Sequence, residues 1–151
     1  MIQMKKTNPI TFEYVQSCFD LAKVEFSFLT KQGFTLTEEK RATGIQFKDG
    51  FHFRYSHFPV DVVVDYYDME LIPIFYRDKE QASYYFIDHY LFFNASAYAG
   101  AMFPLDKLAS PIKNIAQDIQ KNYQPILAGD EIIWKKIMAL VNAPKEKRVL
   151  P

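Results

Sequence analysis

Polar side chains alternate with apolar ones on both sides of Phe58-Pro59. If the chain reverses at this point, an antiparallel hairpin places His52 opposite Asp65. Arg54 then lies within diagonal reach of both Asp65 and Asp61. A histidine beside a carboxylate can act as a general acid or base. The same residues on the solvated face of a sheet form ordinary ion pairs, and we favour this interpretation because antiparallel sheets commonly expose one face to water.

Acidic residues and a tyrosine come together at the turn that follows. Tyr67 and Asp68 reverse the chain, and Asp65 and Glu70 flank the reversal. Tyrosine has an apolar ring and a polar tip, which suits protein interfaces, and carboxylates favour a cationic partner. The candidate contacts with a protein partner are therefore Asp61, Asp65, Tyr67, Asp68 and Glu70.

The chain has three histidines, and their spacing does not predict a metal site. His52 and His57 are an odd number of positions apart, so on one regular strand they point to opposite faces. His89 has no second histidine one helical turn away. Because a zinc site needs three or four convergent ligands, we predict no metal ligand. If a pocket binds a small molecule instead, the residues to consider are His52, Arg54, His57 and His89.

The sequence lacks the common catalytic and cofactor-binding motifs. Its five glycines form no phosphate-binding loop, and no G-x-S-x-G nucleophile elbow is present. The single cysteine, Cys18, lies on an apolar stripe, where a small buried residue is expected and burial disfavours the thiolate. We therefore predict no catalytic residue and no cofactor, which argues against an enzyme.

These side chains depend on elements that the patterning predicts, beginning with an N-terminal helix. Asn8-Pro9 offers an N-cap and a proline at the first helical position, Thr11 is a competing cap, and Gly33 ends the helix. Between these signals, apolar residues recur every three or four positions: Val15, Cys18, Phe19, Ala22, Phe26 and Leu29. This spacing places them on one face of the helix.

A period of two follows and predicts four or five short strands. The alternating segments are residues 34–37, 45–48, 51–56, 60–66 and 70–76. Asp49-Gly50 is a hairpin turn signal. The charged residues 38–41 are predicted to form a loop or a frayed edge. Pro73 predicts an edge position or a bulge, because proline cannot donate to the ladder.

Helical spacing returns in the last half of the chain. Asp78 and Gln81 resemble a capping box, followed by one broad aromatic face formed by Tyr85, Phe86, Tyr90 and Phe93. The aromatic density of this segment also allows a strand. Residues 94–104 are expected to form a loop.

Two further helices are predicted after this loop. Ser110-Pro111 begins the first, and Pro125 ends or interrupts it. Its apolar stripe comprises Ile112, Ile115, Ala116, Ile119 and Tyr123. Gly129-Asp130 separates it from the last helix. The stripe of that helix comprises Ile133, Ile137, Leu140 and Val141.

The element order predicts a single α+β domain over residues 1–143, with a disordered tail at residues 144–151. It has an N-terminal helix, an antiparallel meander of four or five strands, and two or three C-terminal helices packed on one face of the sheet. Hydrophobic residues make up 49% of the 151 residues, which excludes a disordered chain. The formal net charge is zero, which argues against a nucleic-acid binder.

Targeting signals are absent from the sequence. The N-terminal lysines precede no apolar run of signal-peptide length, and no segment reaches the ~20 apolar residues that cross a bilayer. A single cysteine provides no internal disulfide. These features predict a cytoplasmic protein that does not interact with a membrane.

Two segments resemble a group of known proteins. Residues 62–71, VVVDYYDMEL, and residues 126–134, ILAGDEIIW, resemble small uncharacterised bacterial cytoplasmic α+β proteins, some of which are immunity proteins of polymorphic toxin systems. The resemblance covers the element order over residues 15–141. It implies a protein that binds and inhibits a toxin, and it implies no catalytic residue.

We therefore expect a non-enzymatic protein-binding domain, and the resemblance implies an immunity-type inhibitor. The alternative is a small-molecule binding protein or enzyme with a pocket between the sheet and the helices. A homodimer formed through the aromatic surface is compatible with either function.

Overall fold

The computed structural model of the chain describes residues 9–42, 50–92 and 102–144. Within these ranges, five strands form one antiparallel sheet: β1 (Thr35–Ala42), β2 (Gly50–His57), β3 (Val60–Tyr67), β4 (Glu70–Arg77) and β5 (Glu80–Ser83). The strands lie side by side in chain order, so each pairs with its neighbours in sequence. The predicted antiparallel meander is confirmed, with five strands.

Helices precede and follow the sheet. Those before it are α1 (Pro9–Glu25) and α2 (Phe28–Lys31). Those after it are α3 (Tyr84–Tyr90), a 3-10 turn (Leu105–Lys107), α4 (Ala109–Asn122), α5 (Gln124–Leu127) and α6 (Glu131–Asn142). This order confirms the predicted α+β class.

The hairpin of β2 and β3 has the register expected from a turn at Phe58-Pro59. His52 lies opposite Asp65, and Ser56 lies opposite Asp61. The alternation of the strands turns one set of side chains toward the helices, each at most 4% exposed: Phe51, Phe53, Tyr55, Val62, Val64, Tyr66, Leu71 and Phe75. This face of the sheet is therefore the floor of the hydrophobic core.

The N-terminal helices cover this floor as the spacing predicts. All six residues of the predicted stripe are buried. Phe19 of α1 stacks on Phe53 of β2, with 4.9 Å between the ring centroids. The helix is interrupted between Glu25 and Phe28. Gly33 ends the segment with φ +100°, a conformation that costs glycine little.

Residues 38–41 belong to β1, so the prediction of a loop is wrong. β1 is an edge strand that pairs only with β2, and its register shifts between Leu36 and Glu38. Edge strands commonly carry charged side chains, which hinder pairing with another chain. Glu39, on the helix side, forms an ion pair of 2.9 Å with Lys23 of α1. The charged run is therefore compatible with a strand because it lies at the rim of the sheet.

Pro73 lies in β4, which is not a terminal strand of the sheet. Val64 lies directly opposite it without a register shift, so the predicted bulge is absent from this pairing. β5 pairs only with residues 74–77 of β4. Pro73 therefore lies in the part of β4 that pairs with β3 alone, where a residue without an amide proton is tolerated.

The predicted capping box at Asp78 and Gln81 is wrong. Asp78 lies in the turn between β4 and β5 with φ +57°, and Gln81 lies in β5. Helix α3 begins after Ser83, whose hydroxyl accepts a hydrogen bond of 3.2 Å from the amide of Phe86. A short strand thus occupies the segment assigned to the first turn of a helix.

The buried face of α3 also differs from the prediction. Tyr84, Ile87 and Asp88 are buried, whereas the predicted residues 85, 86 and 90 are only half-buried. Because aromatic residues occur on all sides of this helix, their spacing could not select the face that packs on the core.

The C-terminal helices follow the predicted signals more closely. The five residues of the α4 stripe are all buried. Gly129, with φ +76°, and Asp130 separate α5 from α6, and the Asp130 carboxylate accepts hydrogen bonds from two amides of the first turn of α6. The buried stripe of α6 is rotated from the predicted one, because Trp134, Ile137 and Met138 are buried and residues 133, 140 and 141 are half-buried.

Several predictions concern residues outside the described ranges. These are the N-cap at Asn8, the strand at residues 45–48, the turn residue Asp49, the aromatic Phe93, the loop at residues 94–101 and the tail at residues 145–151. Among the helices that the structure describes, none is long and apolar enough to cross a membrane.

Candidate functional site

The side of the sheet that faces away from the core is the candidate functional site, and we call it the open face. Strand alternation places these residues on it: Glu38, Lys40, His52, Arg54, Ser56, Asp61, Val63, Asp65, Tyr67, Glu70, Ile72, Ile74 and Tyr76. None of them belongs to the core cluster of the described residues. The hydrophobic core and the open face thus lie on opposite sides of the sheet. At the β5 edge, Ile74 of the open face lines a cavity together with Phe86 of α3 and Val141 of α6.

His52 joins three strands on the open face. Its Nδ1 atom lies 2.5 Å from Oδ1 of Asp65 in β3, and its Nε2 atom lies 2.8 Å from Oε2 of Glu38 in β1. Each carboxylate oxygen is a hydrogen-bond acceptor, so each ring N–H of His52 can donate to the acid beside it. The hydrogen bond from His52 lowers the pKa of the Glu38 carboxyl, and the charges of His52, Lys40 and Arg54 lower it further against the opposing effect of burial.

Arg54 binds one of the two acids within its predicted reach. Its Nε and Nη2 atoms donate hydrogen bonds of 2.9 and 2.7 Å to Oδ2 of Asp61. The guanidinium carbon lies 5.1 Å from the ring centroid of Tyr76. Asp61 and Tyr76 are directly opposite each other in β3 and β4. Arg54 is therefore held between a carboxylate and an aromatic ring, while Asp65 binds His52.

These interactions leave little for catalysis. Both nitrogens of His52 are engaged by carboxylates, and the Ser56 hydroxyl lies 3.3 Å from that of Thr37. Across residues 9–42, 50–92 and 102–144, no three His, Cys, Asp or Glu side chains are arranged to hold a metal ion. The geometry of the open face therefore favours structural ion pairs over acid-base chemistry.

One end of the open face contains a cavity of about 490 Å³. Its lining includes Lys40, His52, Asp65, Tyr67, Glu70 and Ile72. Tyr67 is 58% exposed, although it ends a strand, and Met69 in the adjoining turn is 45% exposed. Four of the five predicted contact residues therefore cluster at this end: Asp65, Tyr67, Asp68 and Glu70.

The backbone of the adjoining turn is strained. Asp68 has φ +52° and Met69 has φ +66°, which are the left-handed values of a two-residue hairpin turn. Asn and Gly adopt this conformation readily, whereas methionine does so at a cost. The turn places the exposed apolar side chain of Met69 at the tip of the hairpin.

The opposite end of the open face has its own cavity, of about 720 Å³. Asp61 and Tyr76 contribute to its lining, together with the hairpin residue Phe58, which is 95% exposed. Asp61 therefore lies apart from the other four predicted contacts.

His57 and His89 are not brought to His52. His57 lies at the end of β2 and packs edge-on against Phe34, with 5.3 Å between the ring centroids. His89 lies on α3 against Tyr90. Of the predicted pocket residues, only His52 and Arg54 share the open face.

The sheet is tightly packed where a pocket was the alternative expectation. Phe51, Phe53, Val62 and Val64 are at most 4% exposed beneath the helices. This packing disfavours a pocket at the centre of the interface between the sheet and the helices. At one end of the sheet, however, a cavity of about 490 Å³ is lined by Phe34 and His57 on one side and by Gln124, Leu127 and Ala128 of the α5 segment on the other. The cavity that contains His52 is on the other side of the sheet.

Several residues of the open face were missed by sequence reasoning. Glu38 and Lys40 were assigned to a loop or a frayed edge. Ile72 and Ile74 were assigned to a strand, but the face of the sheet on which they lie was not predicted. Residues directly opposite each other on neighbouring strands lie on the same face of a sheet, and this rule would have assigned both pairs to the open face. It can be applied only once the register of the strands is known.

Comparisons of the chain with protein-family models, with curated proteins and with solved structures found no match.

Proposed function

We propose that this chain is a protein-binding domain that holds a partner protein on the open face. The observation that carries the proposal is the placement of apolar side chains on the side of the sheet away from the core. Ile72, Ile74 and Tyr76 of β4 are half-buried there and supply the accessible apolar surface. Val63 of β3, opposite Arg54 and Ile74, is covered by its neighbours and is only 2% exposed. Apolar surface bordered by charged groups is typical of protein interfaces.

Exposed apolar residues extend this surface at both ends. Tyr67 and Met69 lie at one hairpin tip, and Phe58 lies at the other. Met102, which is 49% exposed, pairs with Glu70 beside the first tip. Large aromatic residues and methionine are enriched at interfaces, where they supply most of the contact area.

The dimensions of the open face suit a protein partner. Strands of eight residues, at about 3.3 Å per residue, extend about 26 Å. Five strands about 4.8 Å apart span about 20 Å. Because β5 has only four residues, the resulting area is somewhat less than roughly 500 Å². The hairpin tips extend it toward the ~800 Å² that each partner buries in a standard interface.

The edges of the sheet are less suited to binding than its face. β1 is bulged and carries four successive charged residues at positions 38–41. β5 has only four residues, and Glu80 at its start accepts a hydrogen bond of 3.0 Å from the Trp134 indole of α6. Bulged, charged and short edge strands hinder the addition of another strand. A partner is therefore expected to contact side chains of the face.

An immunity-type inhibitor, which acts by covering a toxin, is the specific form of this function that we propose. Its support is the resemblance of residues 62–71 and 126–134 to such proteins. The first of these segments includes Asp65, Tyr67, Asp68 and Glu70, which lie at the cavity end of the open face.

Photo-crosslinking in the native cell tests the proposed function. Benzoylphenylalanine replaces Ile74 on the open face, and in a matched control it replaces Lys113, an exposed residue of α4 on the helical side. We expect a crosslinked complex with another protein from position 74 and none from position 113. Equal products from both positions, or none from position 74, would refute binding through the open face.

Small-molecule binding is the second candidate, and one observation favours it. The cavity of about 490 Å³ contains His52 beside Asp65 and lies within the size range of ligand pockets, about 300–1,000 Å³. A screen of small metabolites by ligand-observed NMR tests it. The expected result is saturable binding that His52→Gln weakens and His89→Gln leaves unchanged.

A further inference from the structure

The cavity at the Tyr67 end has an acidic and aromatic side, to which Asp65, Tyr67 and Glu70 contribute. We propose that it receives a basic side chain of the partner, an arginine above all, which lies against the Tyr67 ring and binds Glu70 and Asp65. This inference rests on the proposed function, because it specifies the partner chemistry at one end of the open face.

The opposite end of the open face already contains such an arrangement within the chain. There, Asp61 and Tyr76 face each other across β3 and β4, and Arg54 lies between them. At the cavity end, Tyr67 and Glu70 face each other across the same two strands. This second tyrosine-carboxylate pair has no arginine from the described part of the chain, so the site is complete except for its cation.

The hydrogen-bonding capacity of the cavity also favours a donor as ligand. Both nitrogens of His52 are engaged by Glu38 and Asp65, so His52 has no donor left for a ligand. Asp65 is bonded to His52 through Oδ1, and its Oδ2 atom has no hydrogen bond from the described residues. Glu70 is exposed and has no ion-pair partner in the described ranges. The unused groups of these three residues are therefore carboxylate acceptors.

Lys40 is the one cation in the lining whose ammonium is not engaged by a described residue. It lies in β1 opposite His52, beside Glu38, whose pKa it helps to lower. Tyr67 lies two strands away in β3, and Glu70 lies three strands away in β4. The cavity thus has a positive side at β1 and an acidic, aromatic side at β3 and β4, where the ligand cation is expected.

The walls of the cavity suit the stem and the plane of an arginine. Tyr67 is 58% exposed, so its ring is accessible, and Ile72 forms an apolar surface beside it. Guanidinium groups stack on aromatic rings and bind carboxylates through two parallel hydrogen bonds, whereas ammonium groups bind as point charges. Arginine is therefore expected to bind more tightly than lysine.

Nuclear magnetic resonance with paired peptides tests this inference. The probe is acetyl-Gly-Arg-Gly-amide, and the matched control contains citrulline, which has the same shape without the charge. Backbone amide shifts of the full ¹⁵N-labelled chain are followed during titration. We expect the arginine peptide to bind with a Kd in the millimolar range, with shifts centred on Tyr67, Glu70 and Ile72, and the citrulline peptide to bind at least about fivefold more weakly.

Variants identify the groups that bind. Glu70→Gln and Tyr67→Leu are each expected to weaken binding of the arginine peptide at least about fivefold, while the amide resonances away from the cavity stay unchanged. Asp78→Asn, in the exposed turn between β4 and β5, is the matched control and should bind as the parent does. Equal binding of the two peptides, or undiminished binding by Glu70→Gln, would overturn the assignment.

The two proposals can fail separately. If position 74 crosslinks to a partner but the arginine peptide does not bind selectively, the open face is still supported as an interface and the arginine site is rejected. Selective arginine binding without a crosslinked partner supports the cation site and rejects the proposed function.

Discussion

Removing the hydroxyl group from two buried tyrosines is expected to change the stability of the fold in opposite directions at neutral pH. Tyr123 is fully buried, and its Oη atom donates a hydrogen bond of 3.3 Å to Oδ1 of Asp88, which is itself 4% exposed. Tyr55 is 1% exposed, and its hydroxyl has no hydrogen-bond partner among the residues that the structure describes.

The magnitudes follow from these partners. A hydrogen bond to a charged group contributes about 1.5–3 kcal/mol, and the length of the Tyr123 bond places it at the lower end. Tyr123→Phe should therefore lower the free energy of unfolding by about 1.5 kcal/mol. A buried hydroxyl without a partner costs about 1–3 kcal/mol. Tyr55→Phe should therefore raise the free energy of unfolding by about 1 kcal/mol.

Both variants should nevertheless respond in the same way to alkaline pH. Burial raises the pKa of Tyr55 and of Tyr123 well above the ordinary tyrosine value of 10, and the charge of Asp88 raises the pKa of Tyr123 further. Each group's contribution to stability is complete below pH 10 and is lost as the pH rises above it, because the unfolded chain then ionises first. Between pH 9 and pH 11 this loss is about 1.4 kcal/mol per tyrosine.

Urea unfolding at pH 7, 9, 10 and 11 measures both effects. Each variant should lose about 1.4 kcal/mol less than the parent chain between pH 9 and pH 11. Tyr67→Phe, at an exposed position, controls for the substitution and should leave the stability at pH 7 unchanged. If Tyr55→Phe destabilises the fold as much as Tyr123→Phe does, the assignment of a partnerless hydroxyl is wrong. If neither variant changes the alkaline loss, the two rings are not buried as described.

Two backbone positions provide further predictions. Met69→Gly should stabilise the fold by about 1 kcal/mol in urea unfolding, because glycine adopts a φ of +66° without strain, whereas Met69→Ala keeps the strain and should not. Gly50→Ala should destabilise the fold by about 2 kcal/mol or more in the same assay, because the added Cβ would lie 2.1 Å from the carbonyl oxygen of Tyr66. Gln81→Ala, at an exposed strand position, is its control, and an equal loss from both would contradict the predicted clash.

The hairpin of β2 and β3 was predictable because a strand has a period of two and a proline fixes the turn. Once Phe58-Pro59 was taken as the reversal, the pairs His52–Asp65 and Ser56–Asp61 followed by counting. The choice between Asp61 and Asp65 as the partner of Arg54 did not follow. It depends on two contacts: His52 already occupies Asp65, and the ring of Tyr76, from a third strand, packs against the Arg54 guanidinium.

The role of Glu38 could not be predicted from local pattern. Four consecutive charged residues have no apolar face, and burial of an apolar face is the signal that identifies most strands. At the edge of a sheet a strand needs only one partner, and its side chains reach solvent at the rim. Glu38 therefore becomes a hydrogen-bond partner of His52 only because β1 pairs with β2 in a register set by a bulge.

The amino-acid sequence by itself determined the succession of an N-terminal helix, antiparallel strands and C-terminal helices, the register of the central hairpin, and the stripes of α1 and α4. These features depend on periodicity and on proline and glycine signals close in the chain. The tertiary structure decided which face of α3 is buried, how α6 is rotated, and that the side of the sheet bearing Ile72, Ile74 and Tyr67 faces away from the hydrophobic core. The physical reason is that burial depends on which elements occupy the same space, and only the packing of distant segments determines that.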